Sequence, residues 1–389
     1  MAYPLEGLKV LDFSRVLAGP FAGRMLCDLG ADVVKIEPPE GDVTRFWGRN
    51  IAKIPGYFSQ QNAGKRNICI DLRAAGAIDL VNELVAEADI VIENYRPDVM
   101  PRLGIGYEQL KQINPKIVML SISGFGSDGP ESRRATYAPV IHAEAGLMYR
   151  SKQRSDLPHH DLPLSIADTN ASLHGLVGLL SAIIMRERTG QGQHIDIAML
   201  DATIATDDQM HYDLEDSHDT AGLGNEIAEM SFGPVLLSTD FRIFFKLLTT
   251  KLGLIDPSKD GMSLKEKITS RRAAVADFLA TLDTRDKLDQ VMKTLNIAWG
   301  EIRDPATLEE QITVKARGSI TQIDDRQGGT RPITQSPYRF SNADSGVRGP
   351  ASHRGEHNNQ VIKDWLGRED TQPLHENGVL IFDPDWVHH

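Results

Sequence analysis

Apolar and polar positions alternate between two periods along the first half of the chain. Residues 8–13, 32–37, 67–72, 89–92, 116–122 and 193–199 carry short apolar or alternating runs, each of which predicts a strand. Between them, 20–29 and 75–86 repeat their apolar residues at helical spacing, and Gly30 closes the first of these. Strand, helix, strand from residue 8 onward is a βαβ unit, and its repetition predicts a parallel, doubly wound α/β layer.

The longest helical run follows residue 165. Leu176, Val177, Leu180, Ile183 and Ile184 fall on one expected face, widened by Leu179 and Ala182, which predicts a buried helix. Asp168, Thr169 and Asn170 mark its start as N-cap and first-turn residue types. Arg186, Arg188 and Gly190 mark its stop. Asp168 is thereby expected at the positive end of a helix dipole, where an aspartate also serves as a plain cap.

Beyond residue 205 the texture changes. An acidic, aperiodic stretch over 207–225 precedes charged helical patterns over 239–312, and a loop-rich segment over 324–356 leads to a helix at 359–366. The expected division is a large α/β domain over 1–205, a small domain over 225–325, and a return to the large domain over 326–389.

Length and composition support this and exclude several classes. At 389 residues the chain is long enough for two cores. Its 41% apolar and 25% charged content is that of a globular protein. A net charge of −12 opposes non-specific nucleic-acid binding, and no apolar run reaches membrane-span length. The opening Met1-Ala2-Tyr3-Pro4 lacks the features of a signal peptide, so a cytoplasmic protein is expected. The two cysteines, Cys27 and Cys69, lie in apolar runs and read as structural thiols. No metal-ligand spacing occurs, so no metal is expected.

Ligands of open α/β sheets bind at the carboxyl ends of the strands. Lys65, Arg66, Arg73, Asn94, Arg96 and Arg102 lie near such ends and are candidates for phosphate binding, although solvated surface charge is the commoner fate of a cation. Glu37 ends the second strand where a ribose-binding acid would stand in a dinucleotide site. Gly19 and Gly23 do not complete G-x-G-x-x-G, and a nicotinamide dehydrogenase is rejected on that ground.

Several blocks resemble the class III CoA-transferases, the CaiB/BaiF family. They are Pro4 to Phe13, Ala18-Gly19-Pro20, Leu29 to Glu37, Gly41-Asp42, Lys65-Arg66, Glu93-Asn94-Tyr95-Arg96-Pro97, Gly124-Phe125-Gly126, Asp168, Thr189 to Gln193 and Gly355-Glu356-His357. The resemblance implies a Rossmann-like large domain built from both chain ends, a smaller α+β domain, and a homodimer of interlocked chains. It places the family's nucleophilic aspartate on Asp168, the substrate pocket at Val16, Leu17, Ala18, Tyr137 and Ala138, and coenzyme A against the cations named above. Coenzyme A enters as substrate, with no other cofactor. The implied reaction runs from an acyl-CoA to a carboxylic acid acceptor through a mixed anhydride and an aspartyl-CoA thioester. A carboxylate, with a reference pKa of about 3.9, is ionised at neutral pH and needs no general base for that attack.

Departures from the family's branches narrow this. The α-methylacyl-CoA racemases of the same fold, the alternative reading, use a histidine where Tyr137 stands and a glutamate near Leu237. Formyl-CoA:oxalate enzymes carry glutamine and glutamate where Leu17 and Ala138 stand, and a glycine-rich loop whose nearest counterpart is Ala221-Gly222-Leu223-Gly224. Leu17 and Ala138 predict an apolar wall and an acceptor less polar than oxalate. A CoA-binding protein without catalysis is a further alternative, opposed by the retained Asp168.

Overall fold

The computed structural model describes residues 2–153, 157–214 and 224–383. Its first strands and helices are β1 (Lys9–Asp12), α1 (Ala18–Asp28), β2 (Asp32–Glu37), β3 (Arg66–Cys69), α2 (Ala77–Glu87), β4 (Ile90–Glu93), β5 (Val118–Ser123), α3 (Ala138–Glu144), α4 (Ile166–Thr189) and β6 (His194–Ala198). The six strands form one sheet in the order β3-β2-β1-β4-β5-β6, and every neighbouring pair is parallel. The chain winds outward from β1 to β3, then returns to β4 and winds the other way. The switch point therefore lies between β1 and β4, where the loops leaving two adjacent strands diverge and leave a crevice.

Strand residues alternate between two cores. Leu11, Val34, Ile68 and Val91 pack with α2 on one face, while Val10, Val33, Ile90 and Val118 pack with α1 and α4 on the other. Cys27 and Cys69 are free and buried.

The chain divides into two units, Met1–Asp208 with Ala316–His389, and Gln209–Lys315. The second contains β7 (Glu226–Met230), β8 (Gly233–Leu237), α5 (Phe241–Leu252), α6 (Leu264–Ala280), α7 (Arg285–Leu295) and β9 (Trp299–Glu301), with an antiparallel sheet ordered β9-β8-β7. Leu237 sits in its core with Phe244, Leu248 and Leu288. The chain rejoins the first unit at Ala316, earlier than the expected 326. The hairpin of β10 (Ile320–Asp324) and β11 (Thr330–Thr334) belongs to that unit because Ile323 and Ile333 pack on Ala63. Helix α8 (Asn358–Leu366) covers the first sheet face with Val361, Ile362 and Trp365.

The sequence pattern places Leu176, Leu179, Leu180, Ala182 and Ile183 of α4 correctly against the core and errs at two positions. Val177 and Ile184 are 67% and 63% exposed, whereas Ala167, Ala171, Gly175, Leu176, Leu179, Ala182 and Arg186 face inward. Small residues decide this. A Cβ at Gly178 would stand 2.9 Å from Ile195, and one at Gly175 3.0 Å from Leu120, so α4 lies too close to the sheet for larger side chains on that line. No helix among the described residues is long and apolar enough to cross a membrane.

Candidate active site

The loop after β1 carries the most constrained backbone in the molecule's crevice. Val16 has φ of +67°, a left-handed conformation that costs a β-branched residue of order 1–3 kcal/mol. It persists because its neighbours over-determine it. Asp12 accepts from Ser14 N–H at 3.0 Å, the Lys35 ammonium donates to the Ser14 carbonyl at 2.7 Å, and Asp42 accepts from Val16 N–H at 3.2 Å. Across the switch point Asn94 accepts from Arg15 N–H and donates to its carbonyl, both at 2.8 Å. Gly19 lets α1 close onto this loop, since a Cβ there would collide with Ser14.

Above the loop lies a cavity of about 160 Å³. Arg15, Val16 and Ala18 line it from the β1 loop and the start of α1, Asn94 to Pro97 from the loop after β4, Ile122 to Gly124 from the end of β5, and Ser132, Arg134, Thr136 and Tyr137 from the segment before α3. Asp168 is the one carboxylate among these lining residues. It stands in the first turn of α4, with Ser165 at the N-cap, so it is not the cap residue expected from sequence. Burial pushes its carboxyl up to about 6, and the Ala18 N–H offsets only part of that rise. Tyr57 lies within range of the Asp168 charge. Burial first, then Asp168 and Asp42, push its phenol up to about 12, so it remains a neutral hydrogen-bond donor.

The expected site residues separate into those that reach this cavity and those that do not. Val16, Ala18, Asn94, Arg96, Tyr137 and Asp168 line it. Leu17 and Ala138 are buried beside it and absent from its wall, so the premise of an apolar wall is removed. The wall offers Ser123, Ser132, Thr136 and the guanidinium groups of Arg15, Arg96 and Arg134 instead. Lys65 is buried, with its ammonium 2.7 Å from Asp12 and 2.8 Å from the Pro20 carbonyl, and is spent on the scaffold. Arg66 begins β3, at the amino end of the sheet, paired with Asp32 and Asp364. Arg73 and Arg102 are exposed and pair with Asp71 and Asp98, outside the cavity wall. Glu37 is fully engaged by Arg45, Asn67 and the Asp42 N–H, which leaves no acid for a ribose. Residues 221–223 of the glycine-rich candidate lie outside the described residues.

Sequence reasoning passed over Arg15, Tyr95, Arg134 and Tyr57. The signal for Arg15 and Tyr95 was available: both sit in loops leaving the first and fourth strands, the two that flank a switch point. Arg15 and Arg96 have no carboxylate partner among the described residues, whereas Arg134 is held by Glu131 and Glu144. Two unneutralised guanidinium groups at a crevice mouth suit a polyanionic ligand.

This arrangement agrees with comparisons to known proteins. The succinate–glutarate CoA-transferase of Agrobacterium fabrum is 31% identical over 92% of this chain and 95% of its own. An acetyl-CoA:oxalate CoA-transferase of Acetobacter aceti is 41% identical over 52% of each chain. The crystal structure of a CaiB/BaiF family protein from Brucella suis superposes with a TM-score of 0.77 at 32% identity, covering 94% of this chain and all of that one. A profile of the family described as CoA-transferase family III matches residues 5–358, and the chain belongs to that family of CoA-transferring enzymes.

Proposed function

We propose that the enzyme moves CoA from an acyl-CoA donor to a carboxylic acid acceptor with Asp168 as covalent nucleophile. The observation that carries this is the single carboxylate in the cavity, set at a helix start, raised by burial and still mostly ionised at neutral pH. Its oxygen attacks the thioester carbonyl, the C–S bond breaks, and CoA thiolate leaves behind a mixed anhydride. The thiolate then attacks the aspartyl carbonyl and expels the donor's carboxylate, leaving an aspartyl-CoA thioester. Attack by the acceptor carboxylate and return of the thiolate repeat both steps in reverse and restore Asp168. The Ala18 N–H, the neutral Tyr57 hydroxyl and the Tyr137 hydroxyl are the donors for charge on the tetrahedral oxygens.

Arg15 and Arg96 are the proposed partners of the CoA phosphates. The polar wall formed by Ser123, Ser132, Thr136 and Arg134 supports an acceptor with a second polar group, and a dicarboxylic acid is the proposed class. No histidine lines the cavity among the described residues, so the second base that a racemase needs has no candidate there. We further propose a homodimer, for which the exposed apolar line of Leu173, Val177 and Ile184 on α4 is the support.

Intact-mass measurement after incubation with an acyl-CoA tests the nucleophile. A CoA-bearing adduct should form on Asp168, react with hydroxylamine, and be absent from Asp168→Ala. Normal turnover by that variant would overturn the proposal.

A further inference from the structure

Helix α4 begins without a side-chain cap of its own. Ser165 occupies the N-cap position and makes no capping hydrogen bond, although first-turn N–H groups need acceptors. Ala167, the residue before Asp168, finds its acceptor in another helix: its N–H donates to Nε2 of His142 at 3.2 Å. His142 is buried in the last turn of α3, and its Nδ1 stands 2.7 Å from Oδ1 of Asp161.

The tautomer follows from these two contacts. A backbone N–H can only donate, so Nε2 must carry a lone pair; an ionised Asp161 can only accept, so Nδ1 must carry the proton. The neutral Nδ1–H form satisfies both neighbours, whereas the Nε2–H form would set donor against donor and lone pair against lone pair. Helix α3 starts directly after its N-cap residue Tyr137, which lines the cavity. One short helix thus carries Tyr137 at its start and, at its end, the ring that holds the first turn of α4.

We propose that His142 and Asp161 are a positioning pair, in which Asp161 fixes the His142 tautomer and His142 caps α4 so that Asp168 keeps its place relative to Tyr137. The kinetic part of this inference rests on Asp168 being the nucleophile; the tautomer does not. Displacement of a reacting group by about 1 Å costs on the order of a hundredfold in rate, so a loosened first turn should be read in kcat.

The test pairs disruptive with conservative variants. His142→Leu removes the acceptor and Asp161→Ala frees the ring, and each should lower kcat by about ten- to a hundredfold with KM for the acyl-CoA unchanged within about twofold. His142→Gln returns a carbonyl acceptor and Asp161→Asn keeps one for Nδ1–H, so both should recover most of the rate. Nitrogen-15 shifts of the histidine rings in the wild-type protein, with His142→Gln for assignment, should show the proton on Nδ1, and Asp161→Ala should show mixed tautomers. A proton on Nε2 in the wild type would overturn the inference, as would Gln and Asn variants no faster than Leu and Ala. Failure of the nucleophile reading shows differently, as normal turnover by Asp168→Ala.

Discussion

Two groups of carboxylates lie within the same α/β unit, and their surroundings push them in opposite directions. Beneath the β1 loop, Asp12, Glu37 and Asp42 are interleaved with Lys35, Arg45 and Lys65. Burial alone would raise Asp12 and Glu37, yet Arg45 and Lys35 hold Glu37 down to about 2, and Lys65 and Lys35 hold Asp12 below its ordinary value. Asp168 and Glu93 are also withdrawn from water, but neither is ion-paired among the described residues. Burial drives Asp168 up to about 6 and Glu93 up to about 7, where hydrogen bonds from Ser121 and the Tyr95 N–H offset only part of the rise. Paired acids hold the crevice in shape, and an acid left unpaired at its surface keeps its reactivity.

The largest expected break of this contrast is in rate. Asp168→Asn keeps the shape of the side chain and removes the nucleophile, so kcat for CoA transfer should fall by about a thousandfold or more. Steady-state transfer assays measure it, and a loss of under tenfold would mean that the unpaired acid is not the reacting group. Next comes the scaffold. Lys65→Met strands Asp12 as a buried, half-compensated charge, at a cost of about 3–5 kcal/mol by denaturant titration. A change below about 1 kcal/mol would show that the network is not what holds the loop.

A smaller effect is expected at the crevice mouth. Arg96→Ala removes one unneutralised guanidinium, and loss of a charge-assisted contact of about 1.5–3 kcal/mol should raise KM for the acyl-CoA tenfold or more. Arg73→Ala, outside the cavity, should leave KM unchanged. Equal effects of the two would refute the assignment of the anion site.

That pairing of variants also shows where the sequence was readable. Periodicity located the six parallel strands and the α4 run, because a doubly wound sheet imposes strict alternation on its strands. Asp168 was visible as a carboxylate at a helix start. The cations were not sortable by sequence: Lys65, Arg66 and Arg96 look alike as text, and only the fold shows that the first two are consumed by Asp12 and by Asp32 with Asp364. Val177 and Ile184 were misread for a related reason, since Gly175 and Gly178 carry no hydrophobic signal yet bring a different line of the helix onto the sheet. His142 stood on no motif, and its role depends on contacts with Asp161 and Ala167, neither adjacent in sequence.

The smallest effect is the most direct measure of the contrast, because it separates stability from rate in one residue. The folded-state pKa of Asp168, about 6, lies above the ordinary aspartate value of 3.8. The fold therefore favours the protonated acid, and that contribution is fully present below the unfolded-state pKa and lost as pH rises through about 6. At pH 7 the ionised carboxylate is a burden on the folded state, and Asp168→Asn should relieve it by on the order of 1–3 kcal/mol. At pH 4 most of the gain should be gone. The wild-type rate should mirror this, with kcat/KM falling about tenfold per pH unit once the pH drops well below 6, since the attacking species is the carboxylate. Glu37→Gln supplies the opposite sign: the wild-type acid is held low by Arg45 and Lys35, so its removal should destabilise the fold at pH 7. Denaturant midpoints of the two variants at pH 4 and pH 7 measure both predictions, and a destabilised Asp168→Asn at pH 7 would erase the distinction between the two groups of carboxylates.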